Sequence, residues 1–217
     1  SGNAVYLDGS QVPQLSPAAE VYWANASKSP QLAPIWQDGA GNILLPGSDP
    51  AFEWQDSVDA AGPGLMPFAK APKQERTDYV FNANSSHWLS NLNAPLEGFS
   101  LVYGPERTER SPRTRYNAQL ISNQGAVKLA GEDGKFNFTE LKSVFSHNGS
   151  LFGTELKTAL AQRCAMFPQL QLPTGAVDLS AACQVLANWD GRYQLDSRGA
   201  HLLREFLLAY RIAGERN

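Results

Sequence analysis

The chain has 217 residues, a formal net charge of −3 and 42% hydrophobic content, which is long and apolar enough to bury a core and argues against wholesale disorder. Lys and Arg are not in excess, so binding dominated by nucleic-acid phosphates is not expected. No apolar run approaches the ~20 residues of a membrane-spanning helix.

In chain order, Ala4-Val5-Tyr6-Leu7 reads as a short strand ending in the turn Asp8-Gly9-Ser10. Ser16-Pro17 is an N-cap followed by a Pro in the first helical turn, and predicts a helix to about Ser27 in which Val21, Tyr22 and Trp23 pack. Residues 29–72 are rich in Pro, Gly and Asp, with Ile43-Leu44-Leu45 as one brief strand signal. So long an irregular stretch suits a chain that runs over the surface of a partner.

Tyr79-Val80-Phe81 has the β-branched and aromatic composition of a buried strand, and turns polar at Asn82, Asn84, Ser85 and Ser86. On a strand, Asn82 and Asn84 would share one face. A carboxamide there donates hydrogen bonds without carrying charge, which suits an oxygen that becomes negative only in a transition state. The plainer reading is a strand running into an Asn/Ser turn.

Ser111-Pro112 repeats the cap-and-Pro signal and predicts a helix to about Ser122. Asn137-Phe138-Thr139-Glu140 reads as a capping box for a helix carrying Leu141, Val144 and Phe145. Helical spacing follows over Thr154–Met166 and Asp178–Asn188. It is clearest over Ser197–Ile212, with Leu202, Leu203, Phe206, Leu207 and Tyr210 on one side. The expected fold class is α+β, with the few strands in the amino half and a mostly helical carboxyl half. The division expected is a strand-containing part over residues 1–123 and a helical part over 124–217. His87, His147 and His201 are scattered and read as core or surface residues. Cys164 and Cys183 fit no zinc spacing, which leaves two buried thiols or a disulfide.

Three blocks then carry a family resemblance. They are Asn82-Ala83-Asn84-Ser85-Ser86-His87-Trp88-Leu89-Ser90-Asn91 with Pro95-Leu96-Glu97-Gly98; Gly104-Pro105-Glu106-Arg107-Thr108-Glu109-Arg110-Ser111 with Arg113-Thr114-Arg115; and Trp189-Asp190-Gly191-Arg192 with Asp196-Ser197-Arg198-Gly199-Ala200. In this order, and with Ser1–Pro13 ahead of them, they resemble the penicillin acylase family, most closely its acyl-homoserine-lactone and aculeacin acylase branch.

The resemblance implies part of an N-terminal-nucleophile hydrolase of αββα architecture. Such an enzyme cleaves a linear amide by acyl transfer to an N-terminal Ser and then to water. Asn84 matches the family's oxyanion-hole asparagine, with Asn82 in a structural role. Arg107 matches a loop arginine near the active site; Arg110, Arg113 and Arg115 are its near neighbours, and ion pairs to Glu97, Glu106 or Glu109 are the plainer reading of all four.

The residues after Ser1 resemble a stretch well inside the larger chain, so the nucleophile is expected outside this sequence and Ser1 as a nucleophile is disfavoured. The partners implied are the small alpha chain, the amino-terminal part of the beta chain and an acyl-amide substrate, with no nucleic acid and no membrane. No cofactor is implied. Part of the family carries a structural calcium, with one carboxylate ligand near Glu97, but calcium takes about six or more oxygens and none is expected in this segment alone. Family members are commonly periplasmic or secreted, which favours the disulfide. A non-catalytic binding or scaffold domain of an exported protein is the alternative.

Overall fold

A computed structural model of the chain describes residues 2–38 and 43–214; Ser1 lies outside the described residues. The chain forms two compact units, Ser1–Arg110 and Ser111–Asn217. The division falls ahead of the one expected after residue 123, because the helix that opens at Pro112 packs within the second unit.

In the first unit, β1 (Ala4–Leu7) pairs antiparallel with β2 (Lys73–Arg76), in a register that sets Ala4 opposite Arg76 and Leu7 opposite Lys73. The Ser16 hydroxyl caps α1 (Pro17–Ala26), accepting from the Ala19 N–H at 3.1 Å, and donates to the Ala51 carbonyl at 2.6 Å. Ala19 and Trp23 are fully buried, whereas Val21 faces solvent. A further helix, α2 (Ala33–Asp38), lies in the irregular stretch, where Ile43-Leu44-Leu45 forms no strand. That stretch is tied down within its own unit: Gln55 N–H donates to the Gln14 carbonyl, Gln14 N–H to Gly64 and Met66 N–H to Val12, each at 2.8 Å. These backbone groups of the stretch thus find partners within the unit.

In the second unit, the Ser111 hydroxyl caps α3 (Pro112–Ile121), accepting from Thr114 N–H at 3.1 Å. Asn137 and Glu140 complete the capping box of α4 (Phe138–Phe145). Where one helix was expected, α5 (Leu151–Glu155) and α6 (Lys157–Met166) meet at Leu156. A hairpin of β3 (Gln169–Leu172) and β4 (Gly175–Asp178) follows, so strands are not confined to the amino half. The chain continues in α7 (Ser180–Asn188) and α8 (Ala200–Gly214).

Two apolar clusters hold these helices. Leu186, Trp189, Ala200 and Leu203 form one, flanked by Phe152, Leu160, Ala161 and Leu207. Tyr116, Leu120 and Leu151 form the other, with Val127, Leu129 and Val144 against it. Cys164 and Cys183 are disulfide-bonded with Cα atoms 5.4 Å apart, joining α6 to α7. The mixed α+β class expected from the sequence stands.

Candidate functional site

Beyond β2 the chain was expected to continue as a buried strand at Tyr79-Val80-Phe81. Instead it is an irregular segment, half-buried and without a ladder. Its backbone groups are met singly. Phe81 N–H donates to the Ser90 carbonyl at 2.9 Å, and the Tyr79 carbonyl accepts from the Asn91 amide at 2.7 Å. Asn91 is fully buried and uses its whole carboxamide: it also donates to Asp78 and accepts from the Asn93 and Ala94 N–H groups. Hydrogen bonds from Arg76, with others from Tyr79 N–H and Asn91, hold the Asp78 carboxyl well below the usual carboxylate range. These contacts close the neck of a loop formed by residues 82–89.

Within the loop, the Asn82 side-chain oxygen accepts from Asn84 N–H at 2.7 Å. This Asx turn carries Asn84 to φ 57°, in the left-handed region that Asn tolerates better than most side chains. Asn82 and Asn84 are both exposed while Ala83 between them is buried. They are therefore not twin side chains on one strand face; the Asn82 carboxamide shapes the turn that presents Asn84.

Arg107 also stands in left-handed backbone, at φ 55°, a costlier position for a long side chain. Its guanidinium forks onto Glu97, with Nε at 3.1 Å from Oε1 and an Nη at 2.5 Å from Oε2. The Trp88 indole N–H donates to the same Glu97 at 2.9 Å, and the Arg110 guanidinium lies 5.7 Å from the Trp88 ring centroid. Hydrogen bonds from Arg107 and then Trp88 hold the Glu97 carboxyl below its ordinary value. The Arg107 side chain is 76% exposed, so the pair contributes little to stability and mainly fixes direction. Arg115 lies on α3, in the second unit, and pairs with Glu155 of α5.

The loop bearing Asn84 and the loop bearing Arg107 are clasped together. The Ser86 hydroxyl donates to the Pro105 carbonyl at 2.5 Å. His87, 1% exposed, sets Nδ1 3.1 Å from the Tyr103 carbonyl and Nε2 3.0 Å from Glu106 Oε1. Glu106 also accepts from the Gly98 and Phe99 N–H groups, at 3.0 and 3.1 Å. Gly104, at φ 106°, permits the approach, since a Cβ there would sit 3.1 Å from that of Ser86. Sequence reasoning left His87 as a core or surface histidine and Glu106 as an ion-pair partner for the nearby arginines. Their place in the two resembling blocks was the one available signal.

Burial pushes the Glu106 carboxyl up, and hydrogen bonds from Gly98, His87 and Phe99 outweigh it, leaving the group below its ordinary value. A carboxyl depressed by folding stabilises fully above its unfolded pKa and loses that contribution as pH falls through the folded one. The contribution of Glu106 to the clasp is therefore fully present above about pH 5 and is lost on further acidification. Urea midpoints measured from neutral pH downward should fall more steeply for the unaltered chain than for Glu106→Gln. Equal slopes would remove Glu106 from the account.

Among the described residues no group of three or more His, Cys, Asp or Glu side chains could hold a metal ion. Glu97, in the region where the resemblance put a carboxylate ligand, is engaged by Arg107 and Trp88.

The chain belongs to the penicillin amidase family, whose family model matches residues 1–213. It is 40% identical over 215 residues to aculeacin-A acylase of Actinoplanes utahensis, covering 95% of this chain and 26% of that protein. It is 28% identical to acyl-homoserine lactone acylase PvdQ of Pseudomonas syringae pv. syringae (strain B728a), over 90% of this chain and 23% of that protein. The PvdQ of Pseudomonas putida is likewise 28% identical, with 90% and 22% covered. These relatives lie in the branch that the blocks resemble, and the chain spans about a quarter of their length.

Proposed function

We propose that this chain is part of an acylase that hydrolyses a linear amide, such as an N-acyl homoserine lactone, a lipopeptide or a penicillin side chain. An N-terminal Ser located outside this chain attacks the amide carbonyl, its hydroxyl proton passing by way of its own α-amine to the departing amine. Water then cleaves the acyl ester, releasing the acid and restoring the Ser. The Asn84 amide donates to the carbonyl oxygen as it becomes negative, and Arg107 supports the surroundings of that amide.

The observation that carries this reading is the paired left-handed backbone of Asn84 and Arg107, on loops latched to each other two residues away. Strained conformations of this kind persist where the surrounding structure over-determines them, and they concentrate at functional sites. The reaction uses no cofactor; a structural calcium would belong to the full-length enzyme. The partners are the alpha chain, the rest of the beta chain and the acyl-amide substrate. The Cys164–Cys183 bond fits an oxidising compartment, periplasmic or extracellular. Among the described residues no helix is long and apolar enough to cross a membrane.

The test is to measure the intact masses of the full-length parent protein and to assay it against fatty-acyl homoserine lactones and phenylacetyl amides. The expected result is cleavage to a chain that begins with Ser, turnover by the processed protein and none by the 217-residue chain alone. An unprocessed, inactive parent would favour a binding or scaffold domain. Turnover by the isolated chain that vanishes in Ser1→Ala would instead make Ser1 the nucleophile.

A further inference from the structure

We propose that His87 is the positioning residue for Asn84: its buried imidazole, bonded to both Tyr103 and Glu106, fixes the loop that aims the oxyanion amide. The proposal rests on the acylase reading above and adds to it a residue that touches no substrate.

Both ring nitrogens face oxygens that accept. The Tyr103 carbonyl at Nδ1 has no hydrogen to give. The Glu106 carboxylate at Nε2 already receives two backbone N–H groups, from Gly98 and Phe99. Each ring nitrogen therefore has an oxygen within hydrogen-bond distance, one on each side of the ring. Phe99 and Tyr103 stand edge-on to the ring, at centroid distances of 5.2 and 6.3 Å, and restrict its rotation.

The placement of this ring separates it from an ordinary core histidine. It lies three residues after Asn84 in sequence, and its carboxylate partner immediately precedes Arg107. A single imidazole thus spans the segments that carry both proposed site residues. Neither Asn84 nor Arg107 rests on a regular element, so nothing like a helix or a ladder sets their positions. The hydrogen-bonded ring supplies that rigidity. A buried ring nitrogen costs stability when it has no polar partner, and here each has one. A small displacement of a catalytic amide costs far more in rate than in binding.

The experiment is a double-variant cycle in the full-length processed enzyme. His87→Phe keeps an aromatic ring against Phe99 and Tyr103 but removes both hydrogen-bonding nitrogens. Its kcat should fall on the order of 10- to 100-fold with KM little changed. His87→Gln, which retains a donor, should recover part of the loss. In Asn84→Ala the amide is gone, so adding His87→Phe should cost almost nothing more. Should His87→Phe fail to process, Glu106→Gln takes its place in the cycle with the same expectations. Unchanged kcat in the single variant, or losses that multiply in the double variant, would overturn the positioning role. The two readings fail separately. Normal kcat in Asn84→Ala sinks the oxyanion assignment, whereas a crippled Asn84→Ala beside a normal His87→Phe sinks only this inference.

Discussion

In the full-length processed enzyme, Asn84→Ala should lower kcat by roughly 10²- to 10³-fold and leave KM nearly unchanged. The reason lies in timing. A neutral amide gains little from a ground-state carbonyl and much from the charged oxygen of the tetrahedral intermediate, so its loss is felt in the barrier. The turn that presents Asn84 should survive, because its own contribution to the Asx bond is a backbone N–H, which Ala retains. Ala is less at ease than Asn at φ 57°, so some loss of stability is expected too. Asn82→Ala, by contrast, removes the acceptor of that turn and should act mainly through folding. Near-normal turnover by a folded, processed Asn84→Ala enzyme would refute the assignment.

The largest effect on stability is expected from the disulfide. Replacing both Cys164 and Cys183 by Ala should destabilise the second unit by roughly 3 kcal/mol, the value for a loop near the observed separation of 19 residues. The cross-link closes the segment that contains the β3–β4 hairpin and joins the two helices flanking it. Cys183 is buried, one turn from Leu186 in the Trp189 cluster, so releasing it also loosens packing there. Denaturant unfolding of the oxidised chain and the double variant would measure the difference. Titration of the unfolded, unreduced chain should find no reactive thiol, and finding two would refute the bond itself.

How much could be read from sequence depended on how local the deciding interaction was. Ser16, Ser111 and the Asn137–Glu140 pair bond to backbone within three residues of themselves, and the helices they start were read correctly. Tyr79-Val80-Phe81 has strand composition, but a strand also needs a neighbour. Here the neighbours are the Ser90 carbonyl and the Asn91 side chain, which no propensity reveals. The β3–β4 hairpin escaped notice because Gln169 and Gln171 give weak strand signals. Its turn, Leu172-Pro173-Thr174-Gly175, also lacks the Asn-Gly type of cue. At the site, Asn84 was proposed through its block, and the structural hydrogen bonding expected of Asn82 is its bond from Asn84 N–H. The His87–Glu106 contact was missed because it spans 19 residues between irregular segments.

The two small sheets have different implications for handling the chain in solution. Among the described residues each sheet has only two strands, so every strand keeps one unpaired edge. The β1–β2 pair carries Lys73, Glu75 and Arg76, charges that discourage a further strand from docking. The β3–β4 hairpin carries one charge, at Asp178, and exposes Leu170, Leu172 and Val177. An apolar, nearly uncharged edge of this kind is a template for the same edge on another molecule. Of the two sheets, the hairpin within the disulfide loop is the one expected to dock a further strand, and a lysine on its outer edge is the place to begin blocking that contact.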